Sequence, residues 1–135
     1  MMKPPLLDTH VWVWWMLGDS RLSAREREAL DELPSGSRPG LCAISLWEVA
    51  LLVQLGRLRL DDDLEEWLRI AASPAAVELL PITPAVVAEM RRLPATFHQD
   101  PADRLIVATA RARGLPLATH DSRIRRATLT TLWAV

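Results

Sequence analysis

Residues 98–110 constrain this chain more than any other stretch: His98-Gln99-Asp100-Pro101-Ala102-Asp103-Arg104-Leu105-Ile106-Val107-Ala108-Thr109-Ala110. Asp100 suits the N-cap of a helix, and Pro101 suits its first position, where a missing N–H costs nothing. The residues beyond the first turn are apolar nearly all round as far as Ala110, which predicts a helix, stopped by Gly114, buried inside the fold and not laid on its surface. Asp103 and Arg104 nevertheless fall in its first turn. A carboxylate there must be solvated, paired or bound to a cation, because an isolated ion in apolar surroundings is costly.

The other elements alternate along the chain. Pro5-Leu6-Leu7, Leu41–Ile44, Val77–Ile82, Leu115–Thr119 and Leu129–Val135 are short apolar runs expected as strands. Helices are expected at Thr9–Leu17, stopped by Gly18, and from Ser23 through Leu33, where Glu26 stands at capping-box spacing. Further helices are expected from Ser45 to about Leu55, over Leu64–Ala72, from Thr83-Pro84 to about Leu93, and in a short basic segment at Arg123, Arg125 and Arg126. Pro34–Gly40 reads as a loop and Asp61-Asp62-Asp63 as a solvated turn leading into a helix. Trp12, Trp14 and Trp15 cannot share one face of the first helix, so it either meets another chain or is wrapped by its own fold. Trp47 and Trp67 read as core. Strands alternating with helices imply one α/β domain over residues 1–135, with a parallel sheet covered on both faces. In such sheets the ligand site lies beyond the carboxyl ends of the strands.

Four acids fall on connections that open at that edge. Asp8 closes the first strand, Glu48 follows the second, Asp121 follows the fourth, and Asp103 begins the helix leading into the fourth. Each has a local explanation. Ser45 to Glu48 and Asp100 to Asp103 have capping-box spacing, and Asp8 and Asp121 can each cap the helix that comes after. Taken together, four carboxylates at one edge repel one another, which raises their pKa values; a divalent cation removes the repulsion. Carboxylates without a matching histidine or cysteine set suit Mg²⁺ or Mn²⁺ better than zinc. Such an ion can activate water and stabilise charge on a phosphodiester.

Other chemistries find less support. A formal net charge of −1 means that any nucleic-acid contact must come from a local patch. Cys42 is alone, which excludes a disulfide framework and a cysteine zinc cluster. His10, His98 and His120 lack zinc-ligand spacing and read as caps or surface residues. There is no phosphate-binding glycine loop and no nucleophile elbow. Lys3 is the single lysine, which disfavours a phosphate-accepting signalling domain. The opening Met1-Met2-Lys3-Pro4-Pro5 lacks a signal peptide's apolar core, and Val11–Leu17 is far short of the ~20 residues of a membrane span. A reducing, cytoplasmic setting is expected.

Five motifs in register carry a resemblance: Leu6-Leu7-Asp8-Thr9-His10, Ala43-Ile44-Ser45-Leu46-Trp47-Glu48, Leu80-Pro81-Ile82-Thr83, Asp100 to Ala110, and Leu117-Ala118-Thr119-His120-Asp121. Together they resemble PIN-domain proteins over nearly the whole chain, above all the VapC-type ribonuclease toxins of type II toxin–antitoxin pairs. The resemblance implies an α/β/α sandwich with a mostly parallel five-stranded sheet. It also implies a Mg²⁺- or Mn²⁺-dependent endoribonuclease whose acidic quartet corresponds to Asp8, Glu48, Asp103 and Asp121. Asp100 is then a secondary acid that caps the helix, and Thr9, Ser45 and Thr119 are polar neighbours that orient ligands or water. Homodimers and a cognate antitoxin are the implied partners, and the tryptophan helix suits either contact. Ala102 departs from the aromatic that relatives often carry there, which implies a packing change only.

Arg104, Arg123 and Arg125 are expected to meet RNA charge. Two alternatives stand beside this reading: a PIN-domain RNA-processing nuclease outside any toxin pair, and a non-catalytic α/β binding module whose acids are caps.

Overall fold

In the computed structural model, which describes residues 3–135, four short strands form one parallel sheet. Strand β1 (Leu6–Leu7) is central. It pairs with β2 (Gly40–Cys42) on one side and β4 (Leu117–Ala118) on the other, and β3 (Glu78–Leu80) lies outside β2. The stretch Leu129–Val135, expected as a fifth strand, contributes only a parallel bridge between Leu132 and Leu117. Two backbone bonds hold it there: Leu117 N–H donates to the Thr131 carbonyl, and Trp133 N–H to the Leu117 carbonyl. With only two residues, β4 offers too little edge for a longer ladder.

Among the described residues seven helices cover the sheet: α1 (Thr9–Leu17), α2 (Ala24–Asp31), α3 (Ile44–Gln54), α4 (Leu64–Ala71), α5 (Pro84–Arg92), α6 (Pro101–Arg113) and α7 (Ser122–Ala127). Most start as their sequences dictate. The side chains of Asp8, Asp63, Thr83, Asp100 and Asp121 each accept a hydrogen bond from a first-turn N–H. Ser23 and Glu26 form the full reciprocal capping box. Gly18 and Gly114 end α1 and α6 at φ 67° and 63°, a conformation that a side chain would strain.

The expected capping box at Ser45 and Glu48 does not form. Helix α3 starts directly off β2 with Ala43 as an uncapped N-cap, which places Ser45 inside the helix. Both side chains turn instead to Thr9 of α1.

Strand alternation divides the core into two layers. Leu7, Leu41 and Ala118 face one side, where they join Val11, Trp12 and Trp15 of α1, Leu30 of α2, Val49 of α3 and Trp67 of α4. Leu6, Cys42, Leu80 and Leu117 face the other, with Phe97, Ile106, Val107 and Ala110 of α6 and its approach, and Ile124 of α7. Helix α6 is buried from Ile106 to Ala110, as its apolar sequence requires, and Ala102 is buried with it. Trp67 is core, but Trp47 is not: it is 52 % exposed. Helix α3 is apolar at nearly every position, yet Ser45 and Val49 take its buried side and leave Trp47 toward solvent. Among the described residues no helix is long and apolar enough to cross a membrane.

Trp12 joins two helices of the first layer. Its indole N–H donates to the carbonyl of Ala71 at the C-terminus of α4 (2.9 Å), and its ring packs on Trp67 at 5.2 Å between centroids. Trp12→Phe removes the donor from a buried terminal carbonyl and leaves a void, so we expect it to destabilise the fold by about 2–4 kcal/mol in chemical denaturation followed by circular dichroism. A loss within about 0.5 kcal/mol, the range of ordinary surface changes, would refute this role for the indole.

Candidate active site

The chain builds its sheet outward from β1 to β3, then crosses back to set β4 on the far side of β1. A crevice forms where strand order reverses in this way. Asp8 comes directly after β1, Asp121 follows β4 beyond Thr119 and His120, α3 brings Glu48 from the end of β2, and the N-terminus of α6 brings Asp100 and Asp103. All five line one cleft of about 460 Å³. Three of them are tightly grouped: one oxygen each from Glu48, Asp100 and Asp103 lies within 4.8 Å of the other two. Asp100 therefore serves twice, since its Oδ1 also accepts from the Asp103 N–H at 3.0 Å. Asp8 and Asp121 stand in the same cleft outside that triad.

Hydroxyl groups hold these acids in place. Asp8 is buried; its Oδ1 accepts from Val11 N–H at 2.9 Å and its Oδ2 from the Thr119 hydroxyl. Thr119 Oγ1 in turn accepts from Asp121 N–H at 3.0 Å. The Thr9 hydroxyl gives its proton to Glu48 Oε1, so Ser45 Oγ, 2.8 Å from Thr9 Oγ1, acts as donor to Thr9. Thr9, Ser45 and Thr119 thus orient carboxylates from buried positions.

The electrostatics come from burial and crowding. Desolvation pushes the carboxyl groups of Asp8 and Glu48 above their ordinary range, against the hydrogen bonds from Thr119 and Thr9. Asp103 is pushed up to about 7, first by burial and then by Asp100 and Glu48. His98 lies beside it, Nε2 to Oδ2 at 3.3 Å, with its own pKa lowered by burial and by Arg123. Neither partner is driven toward its charged form, so the contact is not a strong ion pair. Both ring nitrogens of His98 lack a hydrogen-bond partner among the described residues. Convergent carboxylate oxygens, with proton affinity raised at Glu48 and Asp103, fit a hard divalent cation, which Glu48, Asp100 and Asp103 can hold.

The arginines divide. Arg123 lines the cleft. Arg104 instead donates to the carbonyls of Phe97 (3.0 Å) and His98 (3.3 Å) and lies over the Phe97 ring, which braces the loop into α6. Arg125 donates to the Thr119 carbonyl at 3.0 Å and so ties α7 to the end of β4. Arg21 and Arg57, not anticipated from the sequence, join Arg123 on the cleft. His10, Trp14 and His120 line it too, and His98 stands behind Asp103. One signal for part of this set lay in the spacing of α1, where residues 10, 13, 14 and 17 form a single helical face.

A carboxyl whose pKa is raised on folding binds its proton more tightly in the folded chain. Its stabilising contribution is complete below about 4 and lost as pH rises through about 7. In EDTA, the melting temperature is therefore expected to fall between pH 5 and pH 8, with Asp103 accounting for about 2–4 kcal/mol. Asp103→Asn should flatten that slope and raise the melting temperature at pH 8. An unchanged slope in the variant would show that the strain lies elsewhere.

Comparison with known proteins agrees with this geometry. A family model for the PIN domain matches residues 6–128. The chain is 39% identical over 124 residues to Ribonuclease VapC22 of Mycobacterium tuberculosis, covering 92% of each chain. Its fold is similar to that of VapBC2 from Rickettsia felis, solved bound to a promoter DNA fragment, with a TM-score of 0.68, 17% identity and 98% of each chain covered. It is also similar in fold to FitAcB from Neisseria gonorrhoeae, with a TM-score of 0.66, 24% identity and 96% of each chain covered. The parallel sheet, the acid-lined cleft at its reversal point and these likenesses together place the chain in the PIN-domain family, within its VapC-type branch.

Proposed function

We propose that the chain is a metal-dependent endoribonuclease toxin that hydrolyses RNA phosphodiester bonds and is silenced by a cognate antitoxin protein. The observation that carries this reading is the triad of Glu48, Asp100 and Asp103, with Asp8 and Asp121 beside it, at the floor of a cleft lined also by Arg21, Arg57 and Arg123. Glu48, Asp100 and Asp103 are the ligands assigned to Mg²⁺ or Mn²⁺, with Asp8 and Asp121 completing or adjusting the site. When bound, the ion supplies Lewis acidity for the phosphodiester and its attacking water.

The chain's own residues do the rest. Ser45 and Thr9 hold the Glu48 carboxylate, and Thr119 holds that of Asp8, so both present fixed oxygens without reorganisation. The arginines on the cleft draw the RNA phosphates toward a floor that would otherwise repel them. Arg104 acts at one remove, by fixing the loop that carries His98 and Asp100. Exposed apolar side chains, Trp47 on α3, Leu55 at its C-cap and Val87 on α5, favour protein contacts, in keeping with a homodimer and an antitoxin. Buried, unpaired Cys42 suits the reducing cytoplasm in which RNA is the substrate.

The test is cleavage of a mixed cellular RNA pool with Mg²⁺, with Mn²⁺ and with EDTA. Cutting should require metal and fall by more than about 100-fold in Asp103→Asn and Glu48→Gln, because these changes remove ligands and not merely their supports. Fragment ends should map to defined positions. An Asp103→Asn protein that cuts at the wild-type rate would overturn the site. In parallel, millimolar Mg²⁺ should raise the wild-type melting temperature at pH 7.5 and leave that of Asp103→Asn unchanged.

A further inference from the structure

One wall of the acidic cleft differs chemically from its floor. Along α1, His10 and Trp14 share the face that begins beside Asp8 and runs outward. Trp14 also differs from its two neighbours. Trp12 and Trp15 are buried, and their indole N–H groups donate to the Ala71 carbonyl and to Asp31. Trp14 is half-buried, and its indole N–H bonds to none of the described residues.

Flat groups gather on it. The Arg21 guanidinium lies over the indole, 5.1 Å from its centroid; the His120 ring stands perpendicular to it at 5.3 Å, and His10 is tilted against it at 5.9 Å. Two of these are held from outside the cleft. Arg21 pairs with Asp19 at 2.8 Å, and His120 contacts Glu26 at 2.8 Å. The wall is therefore ordered before any ligand arrives, and its Arg21 side chain is 66% exposed.

Carboxylates on the floor repel phosphate unless cation-bound, but they offer nothing to the face of a base. Indole, imidazole and guanidinium planes do, because bases stack on them whatever their sequence. We propose that Trp14, with Arg21 laid over it and His10 and His120 beside it, is a stacking subsite for an unpaired nucleobase of the RNA strand cut at the acidic floor. This rests on the nuclease reading above. Trp14 lies six residues along α1 from Asp8, about 9 Å of helix rise, so the stacked base flanks the scissile phosphate and does not belong to the reacting atoms. A paired base has both faces covered by its neighbours, so the subsite selects single-stranded segments and loops.

The probe is an RNA oligonucleotide spanning one cleavage position mapped in the cellular pool, together with a series carrying a single abasic site at each position in turn. Trp14→Leu keeps apolar bulk without a π face, and Trp14→Phe keeps a ring. Trp14→Leu should raise KM about tenfold, with kcat within about twofold of wild type, and Trp14→Phe should recover most of the loss. One abasic position should cost the wild-type chain about the same factor and cost Trp14→Leu nothing further.

The outcomes separate cleanly. Wild-type cleavage with an unchanged KM in Trp14→Leu overturns the subsite and leaves the nuclease standing. A Trp14→Leu defect that persists equally on every abasic substrate makes the indole structural, and also overturns it. If Trp14→Leu does not fold, the wild-type scan decides alone: a uniform response at all positions refutes stacking. Absence of cleavage by the wild-type chain overturns the nuclease reading, and the subsite with it.

Discussion

Asp8, a carboxylate buried at the end of the central strand, is the constraint on which the rest of the structure depends. Its desolvation is unfavourable, and two donors offset it: the Val11 N–H, present only once α1 has turned, and the Thr119 hydroxyl at the end of β4. The register makes this possible. Leu7 pairs with Ala118, and the Asp8 N–H donates to the Ala118 carbonyl at 3.0 Å, so Thr119 arrives beside Asp8. A slip of one residue would put Ala118 or His120 there and would also turn Leu117 and Ala118 to the wrong layers. Chain reversal, strand pairing and site geometry are therefore one arrangement.

A second linkage joins α1 to α3. The line from Ser45 through Thr9 to Glu48 replaces the cap that α3 lacks and commits both side chains to the cleft. A local motif has been overruled by a contact between residues 36 and 39 positions apart. Tertiary satisfaction wins here because Thr9 and Ser45 are buried, where an unbonded hydroxyl costs more than an uncapped N–H near the surface.

Local features of the fold were legible in the sequence, and features set by tertiary contact were not. The α/β order, the end of β1 at Leu7, the caps at Asp8, Thr83, Asp100 and Asp121, and the stops at Gly18 and Gly114 are local, and the structure contains them; β2, β3 and β4 end at Cys42, Leu80 and Ala118, short of the Ile44, Ile82 and Thr119 expected for them. The gathering of acids at one edge was also readable, because strand ends and helix starts of a parallel sheet share that edge. Which side of an element is covered was harder to read. Trp47 could not be told from a core residue on a helix apolar all round, and Leu129–Val135 could not be told from a strand without the length of its neighbour. Arg104 and Arg125 sit in sequence beside site residues but point to backbone carbonyls, whereas Arg21 and Arg57, remote in sequence, reach the cleft.

Capping and metal binding, which the sequence poses as alternatives for these acids, turn out to be compatible. Asp100 caps α6 with one oxygen and remains in the triad; Asp8 and Asp121 cap α1 and α7 and remain in the cleft. A carboxylate has about four acceptor positions, and a cap occupies one or two of them. The helix starts do more than orient the acids. Each N-terminus carries partial positive charge, and the starts of α1, α6 and α7 converge on the cleft. That field tempers the mutual repulsion, but burial and the neighbouring acids still hold Asp103 well above an ordinary carboxylate. The residual cost is a raised proton affinity, and a divalent cation relieves the same cost. The fold thus brings the acids together with helix dipoles and hydroxyl donors, and leaves a crowding of charge that a hard cation would neutralise.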